Sequence, residues 1–477
     1  MSVSTPRTSS STAELTGTAK LEDLTKIMAN LKQDLTDIHL LPHQRDAFLE
    51  QVKVYGRDPT NADPIFTKEG LETLARHAFN SASQNTALNA SRCLANAMLL
   101  RPETRQMIVD QGYIPKACTK LKIDNRDNEF VVSRIIFLAT YAPELDIARL
   151  IDDEKLADNM CLNMNRHAKR YSALKSGKPQ DPMADMALTE TLKLLFNITS
   201  KCPEKVDKFS PALHHVLTVL SKMPISSSAP LENLVATVLN ALVNLDFDGK
   251  NTTIVFPKSN PAIYTDCFIE ILDKATNAYK DDELESLVSP LIVVLQKTYE
   301  VAPVEIKSQF RKSMLPSTTD REQPLGRGQT LPSRLLSLST NPATPTLRTT
   351  VSALLFEMSD RDAKKFVQNV GYGFASGFLF QHGVTVPENA LEAWSNEDDT
   401  PSAVATTERP INPVTGQFLD REEHVEIDMT DEEKEREAER LFVLFERLRA
   451  TGVVDVQNPV TQARQEGRFE ELPDDSD

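Results

Sequence analysis

Four segments of this chain are apolar on nearly every side: "DNEFVVSRIIFLATY" (127–141), "LTETLKLLFNIT" (188–199), "LENLVATVLNALVNLDF" (231–247) and "LESLVSPLIVVLQKTYE" (284–300). A helix of this kind has no face to give to water and must be sandwiched between neighbours. None of the four reaches the roughly 18–20 consecutive apolar residues of a membrane span. No alternating strand pattern of useful length occurs. Only 15 Gly and 6% aromatic residues speak against the many turns of a sandwich or barrel. From about residue 19 to 383 helix follows helix, divided by polar or proline-rich breaks at 176–182, 224–230 and 318–332. The expected class is all-α, with helices stacked layer on layer.

A repeat supports stacking. Gly112–Tyr113 and Gly371–Tyr372 each follow a charged amphipathic helix, "RPETRQMIVDQ" and "DRDAKKFVQNV". A buried helix precedes each of these, ending at Leu99 or Met358, and a short helix follows the glycine. Buried helix, amphipathic helix, Gly, helix is the layout of an armadillo-type unit, whose apolar face is covered by the next unit. The same alignment bears on "KKFVQNVGYGFASGFLFQHG" (364–383), the most glycine-dense stretch. Its spacing is G-x-G-x-x-x-G and a helix precedes it, so it lacks the context of a dinucleotide loop. Gly371 is expected to end a helix.

Composition removes several function classes. A net charge of −16 opposes nucleic-acid binding. Cys93, Cys118, Cys161, Cys202 and Cys267 stand apart with no C-x-x-C, and read as free thiols of a reducing compartment. Residues 1–18, mostly Ser and Thr at their start, show no apolar leader and are expected to be disordered. No P-loop, H-E-x-x-H or G-x-S-x-G occurs, His214 and His215 are adjacent and diverge on a helix, and "SALK" (172–175) matches S-x-x-K only by chance. No catalytic residues, metal site or cofactor are expected.

Beyond the helices lies a polar, acidic segment, 384–429, expected as a flexible linker. Residues 430–450 read as one strong helix. Thr430 and Glu433 form a capping box, and Leu441, Phe442, Leu444, Phe445 and Leu448 form its apolar stripe. The tail, 451–477, is expected to be disordered. Within the stacked region Asn96, Asn197 and Asn244 occupy similar positions on successive apolar helices, with Arg92 and Arg134 on such helices too. Two readings stand for these Asn: bonding the backbone of a peptide in a groove, or capping helix ends or bonding local carbonyls.

In order along the chain, "RCLANAMLL", "FVVSRIIFLATY", "TLKLLFNIT", "FVQNVGYGFASGFLF", "INPVTGQ" and "MTDEEKEREAERLFVLFERL" resemble the synembryn family over roughly residues 70 to 450. The most specific signatures are Gly371-Tyr372-Gly373, Asn412-Pro413-Val414-Thr415-Gly416 and the C-terminal helix. The resemblance implies a guanine nucleotide exchange factor and folding chaperone for heterotrimeric G protein α subunits (Gα), built as an armadillo/HEAT-like solenoid. Its concave groove would hold the C-terminal helix of Gα through Arg92, Asn96, Arg134, Phe137, Phe196, Asn197 and Asn244. Helix 430–450, with Leu441, Phe442 and Phe445, would pack on the switch region. The resemblance further implies a phosphorylated linker, with Ser395 matching and keeping Asp398 at +3. Thr400 departs from the pattern, being followed by Pro401. A cytoplasmic monomer in G protein-coupled receptor signalling, recruited to the cell cortex or plasma membrane, would fit. The alternative is an armadillo adaptor that binds a peptide without exchange activity.

Overall fold

The computed structural model describes residues 15–173, 181–232, 234–385 and 409–421, together with Arg436 and Arg440. The chain divides into two compact units, 1–421 and 422–477. Among the described residues the structure is helical, with a single isolated β-bridge between Ile411 and Phe418.

The first unit is organised around a ladder of helices, each packed on the next. Its rungs are α1 (Pro42–Tyr55), α2 (Gln84–Leu100), α3 (Arg126–Ala139), α4 (Pro182–Lys201), α5 (Leu234–Asn244), α6 (Asp281–Val301) and α7 (Pro345–Met358). The four apolar runs are rungs α3 to α6. A second layer backs them: Lys68–Asn80 on α2, Leu156–Ala173 on α4, Ser210–Lys222 on α5, Ile263–Ala278 on α6 and Leu331–Thr340 on α7. Each inner rung is thus covered by two neighbouring rungs and a backing helix, the short helix Ile114–Lys120 filling that place on α3, which is why so few of their positions are polar. Rung starts are set by side-chain caps: Ser83 accepts from Thr86 N, Asn125 from Asn128 N and Asp181 from Met183 N.

Two expectations are corrected. The first helix begins at Gly17, inside the stretch expected to be disordered, because Leu24, Ile27, Met28 and Leu31 form a buried stripe. Lys20 anchors its start by donating to the Asp58 and Thr60 carbonyls at 2.8 and 2.7 Å. Residues 409–421, expected within the flexible linker, are folded against the ladder's C-terminal end, with Ile411 and Phe418 buried. Ser395 and the helix expected over residues 430–450, apart from Arg436 and Arg440, lie outside the described residues.

All five cysteines are free; Cys93, Cys118 and Cys202 are buried. Burial pushes the Cys93 and Cys118 thiols up to about 12, which suits packing rather than chemistry.

His77, on the backing helix Lys68–Asn80, is also buried, with Nε2 2.9 Å from the Leu31 carbonyl. Burial lowers its pKa against the opposing pull of that carbonyl and of Asp34. Folding therefore favours its neutral form. The associated stability is fully present above the ordinary histidine value of roughly 6.5 and is lost as pH falls below it. Burial and the neighbouring His214 push His215 the same way. The melting temperature is expected to drop between pH 7 and pH 5, and less steeply in His77→Gln. A variant with an unchanged slope would show that His77 is not a source of the drop.

Candidate partner-binding face

Along the rungs, the positions left partly open recur every three or four residues and so fall on one stripe per helix. On α2 the stripe holds Arg92, Asn96 and the exposed Leu99. On α3 it holds Phe130, Arg134 and Phe137 and runs on to Tyr141, which is 49% exposed. Lys193 and Phe196 continue it on α4, and Asn240 and Asn244 on α5.

The α3–α4 portion is a ridge of alternating cations and rings. Arg134 lies over Phe130 at 4.5 Å and its Nη2 pairs with Glu190 Oε1 at 2.7 Å. Lys193 Nζ meets the same oxygen at 2.7 Å and stands 5.4 Å from the Phe137 ring. Phe137 packs edge-on against Tyr141, centroids 5.5 Å apart. Tyr141 is flanked by Arg105 at 5.5 Å and Lys201 at 5.3 Å. Glu190 is buried, so one carboxylate serves two cations and the ridge keeps a positive excess. Such a surface suits a ligand that pairs apolar side chains with negative charge, such as a helix C-terminus, where the dipole is negative.

The sequence candidates divide on this face. Arg134, Phe137 and Phe196 belong to the ridge. Arg92 is half-buried and held at 2.8 Å by Asp127. Asn96 makes no side-chain hydrogen bond among the described residues and remains open to a ligand. Asn197 is buried, and its amide donates to Thr140 Oγ1 at 3.0 Å. Asn244 donates to the Phe196 carbonyl at 3.2 Å. These two amides join one rung to the rung before it, and neither caps its own helix. Lys201 does the same at the Thr140 carbonyl, 2.6 Å away. Phe130, Tyr141, Lys193 and Lys201 were missed, although Phe130, Arg134, Phe137 and Tyr141 follow helical spacing and could have been picked as one stripe.

A second constellation explains the glycines. The helices α8 (Ala363–Val370) and α9 (Tyr372–Gln381) meet at Gly371, whose φ of 82° and ψ of 150° favour glycine. A Cβ there would come within 3.0 Å of the Val414 carbonyl oxygen. The backbone of 413–416 runs into this space: Tyr372 N donates to Pro413 O at 2.8 Å and Gly373 N to Val414 O at 3.1 Å. The glycines admit a strand of the chain's own backbone where a phosphate loop would admit a ligand. On the far side Arg321, fully buried, donates to the carbonyls of Gly416, Gln368 and Asn369 at 2.8, 3.0 and 3.0 Å. Burial pushes its guanidinium down to about 10, Asp320 opposing the shift, so it stays charged at neutral pH. Two of the three most specific sequence signatures, Gly371-Tyr372-Gly373 and Asn412–Gly416, are therefore the two halves of one contact.

Stacked helices in two layers, with one stripe per rung left open, define an armadillo/HEAT-like helical solenoid with a candidate partner-binding face. The family described as "Guanine nucleotide exchange factor synembryn" matches residues 48–468. The chain belongs to the synembryn family. Chaperone Ric-8A of Gallus gallus is 25% identical over 466 residues, covering 90% of this chain and 86% of that protein. A synembryn-like chaperone of Schizosaccharomyces pombe is 26% identical over 412 residues, covering 80% and 76%. Among solved structures, an engineered protein matches 58% of this chain and 97% of its own at 18% identity, with a TM-score of 0.39, too low to bear on the fold. No described helix is long and apolar enough to cross a membrane.

Proposed function

We propose that this protein is a guanine nucleotide exchange factor and folding chaperone for Gα. The family membership supports the class of activity, and the ridge on α3 and α4 supports the mode of binding. The C-terminal helix of Gα lies across the ladder, its apolar side chains on Phe130, Phe137 and Phe196, its carboxylate end toward Lys193, Lys201 and Arg105. Holding that helix away from the rest of Gα loosens the nucleotide site, and GDP leaves. No bond is made or broken: the protein binds the nucleotide-free state better than the GDP-bound state, and the difference is the driving force. The same preference for an incompletely closed Gα makes it a folding chaperone.

The observation that carries this reading is the cation–ring ridge on an otherwise acidic chain of net charge −16. Titration of a labelled peptide of the Gα C-terminal helix tests it. The free-acid peptide is expected to bind, the amidated peptide more weakly, and both less tightly at high salt. Equal binding of the two peptides, insensitive to salt, would place the carboxylate elsewhere. Helix 430–450, through Leu441, Phe442 and Phe445, acts as a second contact on the switch region. Ser395, phosphorylated, modulates exchange.

A further inference from the structure

We propose that the cleft between the backing helices Leu156–Ala173 and Ser210–Lys222 binds a phosphate monoester, held by Lys169, His214 and His215. The cleft is separate from the ridge, and the inference stands whether or not Gα is the partner.

Two features of the sequence are left unused by the partner-binding face: the His214–His215 pair and Ser172 of the S-x-x-K match. The fold brings them to one place. The two helices pack on each other, and the cleft between them measures about 360 Å³. Its polar lining is Asn165, Lys169, Ser172, His214, His215 and Thr218. The two histidines leave their helix in different directions, yet their rings stand with centroids 5.5 Å apart and both reach the cleft. Lys169, Ser172 and His214 are exposed, so a solute can enter from water.

No carboxylate lines this cleft. Two cavities of similar size do hold acids, Asp124, Glu129 and Asp181 in one and Asp266 and Glu270 in the other. In a chain with 69 acidic and 53 basic residues, a cleft with three bases and no acid runs against the composition. Its donors are also uncommitted. Asn165, Lys169, Ser172, His214 and His215 make no side-chain hydrogen bond or ion pair among the described residues. Their neighbours on the same helix are held: Arg166 donates to Asn163 Oδ1 and the Lys122 carbonyl, both at 2.7 Å, and Arg170 pairs with Asp185 at 2.6 Å. Thr218 donates to the His214 carbonyl at 2.7 Å.

An ammonium, two imidazoles, an amide and a hydroxyl converge here as donors. A tetrahedral dianion offers them acceptor oxygens on several sides, and lysine serves such a group as a point charge. The cleft leaves space beyond the phosphate for the organic half of a monoester. Burial, His214 and Lys169 together push the pKa of His215 down. Tyr264, from the helix Ile263–Ala278, meets the cleft through its bond to Thr218 and carries no charge at neutral pH. An anion opposes all three effects by favouring imidazolium. Binding therefore takes up protons and weakens as pH rises.

Titration of the full chain with sulfate, inorganic phosphate and glycerol phosphate tests the site, read by melting temperature and histidine ring resonances. Each is expected to saturate, to raise the melting temperature, and to move the resonances of His214 and His215 together. Lys169→Gln/His214→Gln alters two exposed residues and is expected to melt normally in chloride. Its affinity for phosphate is expected to fall about tenfold or more for each charge-assisted hydrogen bond lost, while Lys169→Arg stays near wild type. Sulfate keeps its charge between pH 6 and pH 8, so histidine protonation alone governs its pH dependence. Its affinity is expected to fall about tenfold or more over that range in the wild type and to stay flat in His214→Gln/His215→Gln. Sedimentation with phosphatidylcholine vesicles containing phosphatidic acid, lost in Lys169→Gln/His214→Gln, would identify the monoester as a lipid headgroup. Glycerol phosphate binding without sedimentation would identify it as a soluble one. An equal response to chloride at the same ionic strength, undiminished phosphate binding in Lys169→Gln/His214→Gln, or sulfate binding independent of pH would each overturn the site.

Discussion

Combined replacement of Arg134 by Gln and Phe137 by Ala is expected to weaken Gα binding roughly a few hundred- to a few thousand-fold. Phe137 stands half-open between Lys193 and Tyr141, the setting of a ring that a partner covers completely. Truncating such a residue costs roughly 2 kcal/mol or more. Arg134 contributes a charge-assisted hydrogen bond, roughly 1.5–3 kcal/mol. Together these amount to about 3–5 kcal/mol, or a few hundred- to a few thousand-fold in affinity. Gln rather than Ala is chosen at 134 because Glu190 is buried and shared by Arg134 and Lys193. Gln keeps a donor toward that carboxylate, and Lys193 keeps its charge balanced, so the solenoid stays folded. Calorimetric titration of Gα onto the double variant is the check, with the melting temperature as control. Affinity within about threefold of wild type, in a variant that melts normally, would move the site off this ridge.

Truncation after residue 427 is expected to separate binding from exchange. The cut falls inside the second compact unit, so the first, 1–421, keeps its core and its folded segment 409–421. The shortened chain should melt as the full chain does and bind the C-terminal peptide of Gα as tightly. It should release GDP poorly, because Leu441, Phe442, Leu444, Phe445 and Leu448 are gone. Burying each of these side chains contributes roughly 1.5–3 kcal/mol, so even a partly covered stripe stabilises the open form of Gα by several kcal/mol. The competing arrangement, permanent packing of the stripe on the solenoid, makes a different forecast: a large drop in melting temperature without Gα. An undiminished release rate would eliminate the second contact altogether.

Most of the ladder was legible in the sequence, and the reason is physical. A rung covered by two rungs and a backing helix loses its polar face, and the runs at α3 to α6 carry that signature in their own residues. What depends on a distant partner was not legible. Asn197 and Asn244 looked like groove residues because their positions recur, but each amide is used by the previous rung, at Thr140 and at Phe196. The folded segment 409–421 was hidden twice over. Its apolar residues, Ile411 and Phe418, are sparse in an acidic segment, so the composition read as linker. Its anchor, Arg321, lies 95 positions from Gly416 in a proline- and glycine-containing break that read as loop. Gly371 was placed correctly at a helix end, but its spare room was not, since only the fold brings Val414 against it. Tyr141 was passed over because it follows the last turn of α3, although its spacing continues the stripe from Phe130.

On the function proposed above, this protein opens the nucleotide site of Gα by holding the subunit's C-terminal helix on the α3–α4 ridge. Release of labelled GDP from purified Gα, with and without the full-length protein, tests it most directly when a Gα lacking its C-terminal helix is run beside the intact subunit. Accelerated release is expected from intact Gα, no acceleration from the shortened Gα, and loss of acceleration with Arg134→Gln/Phe137→Ala. Equal acceleration of both Gα forms, or none of either, would contradict it.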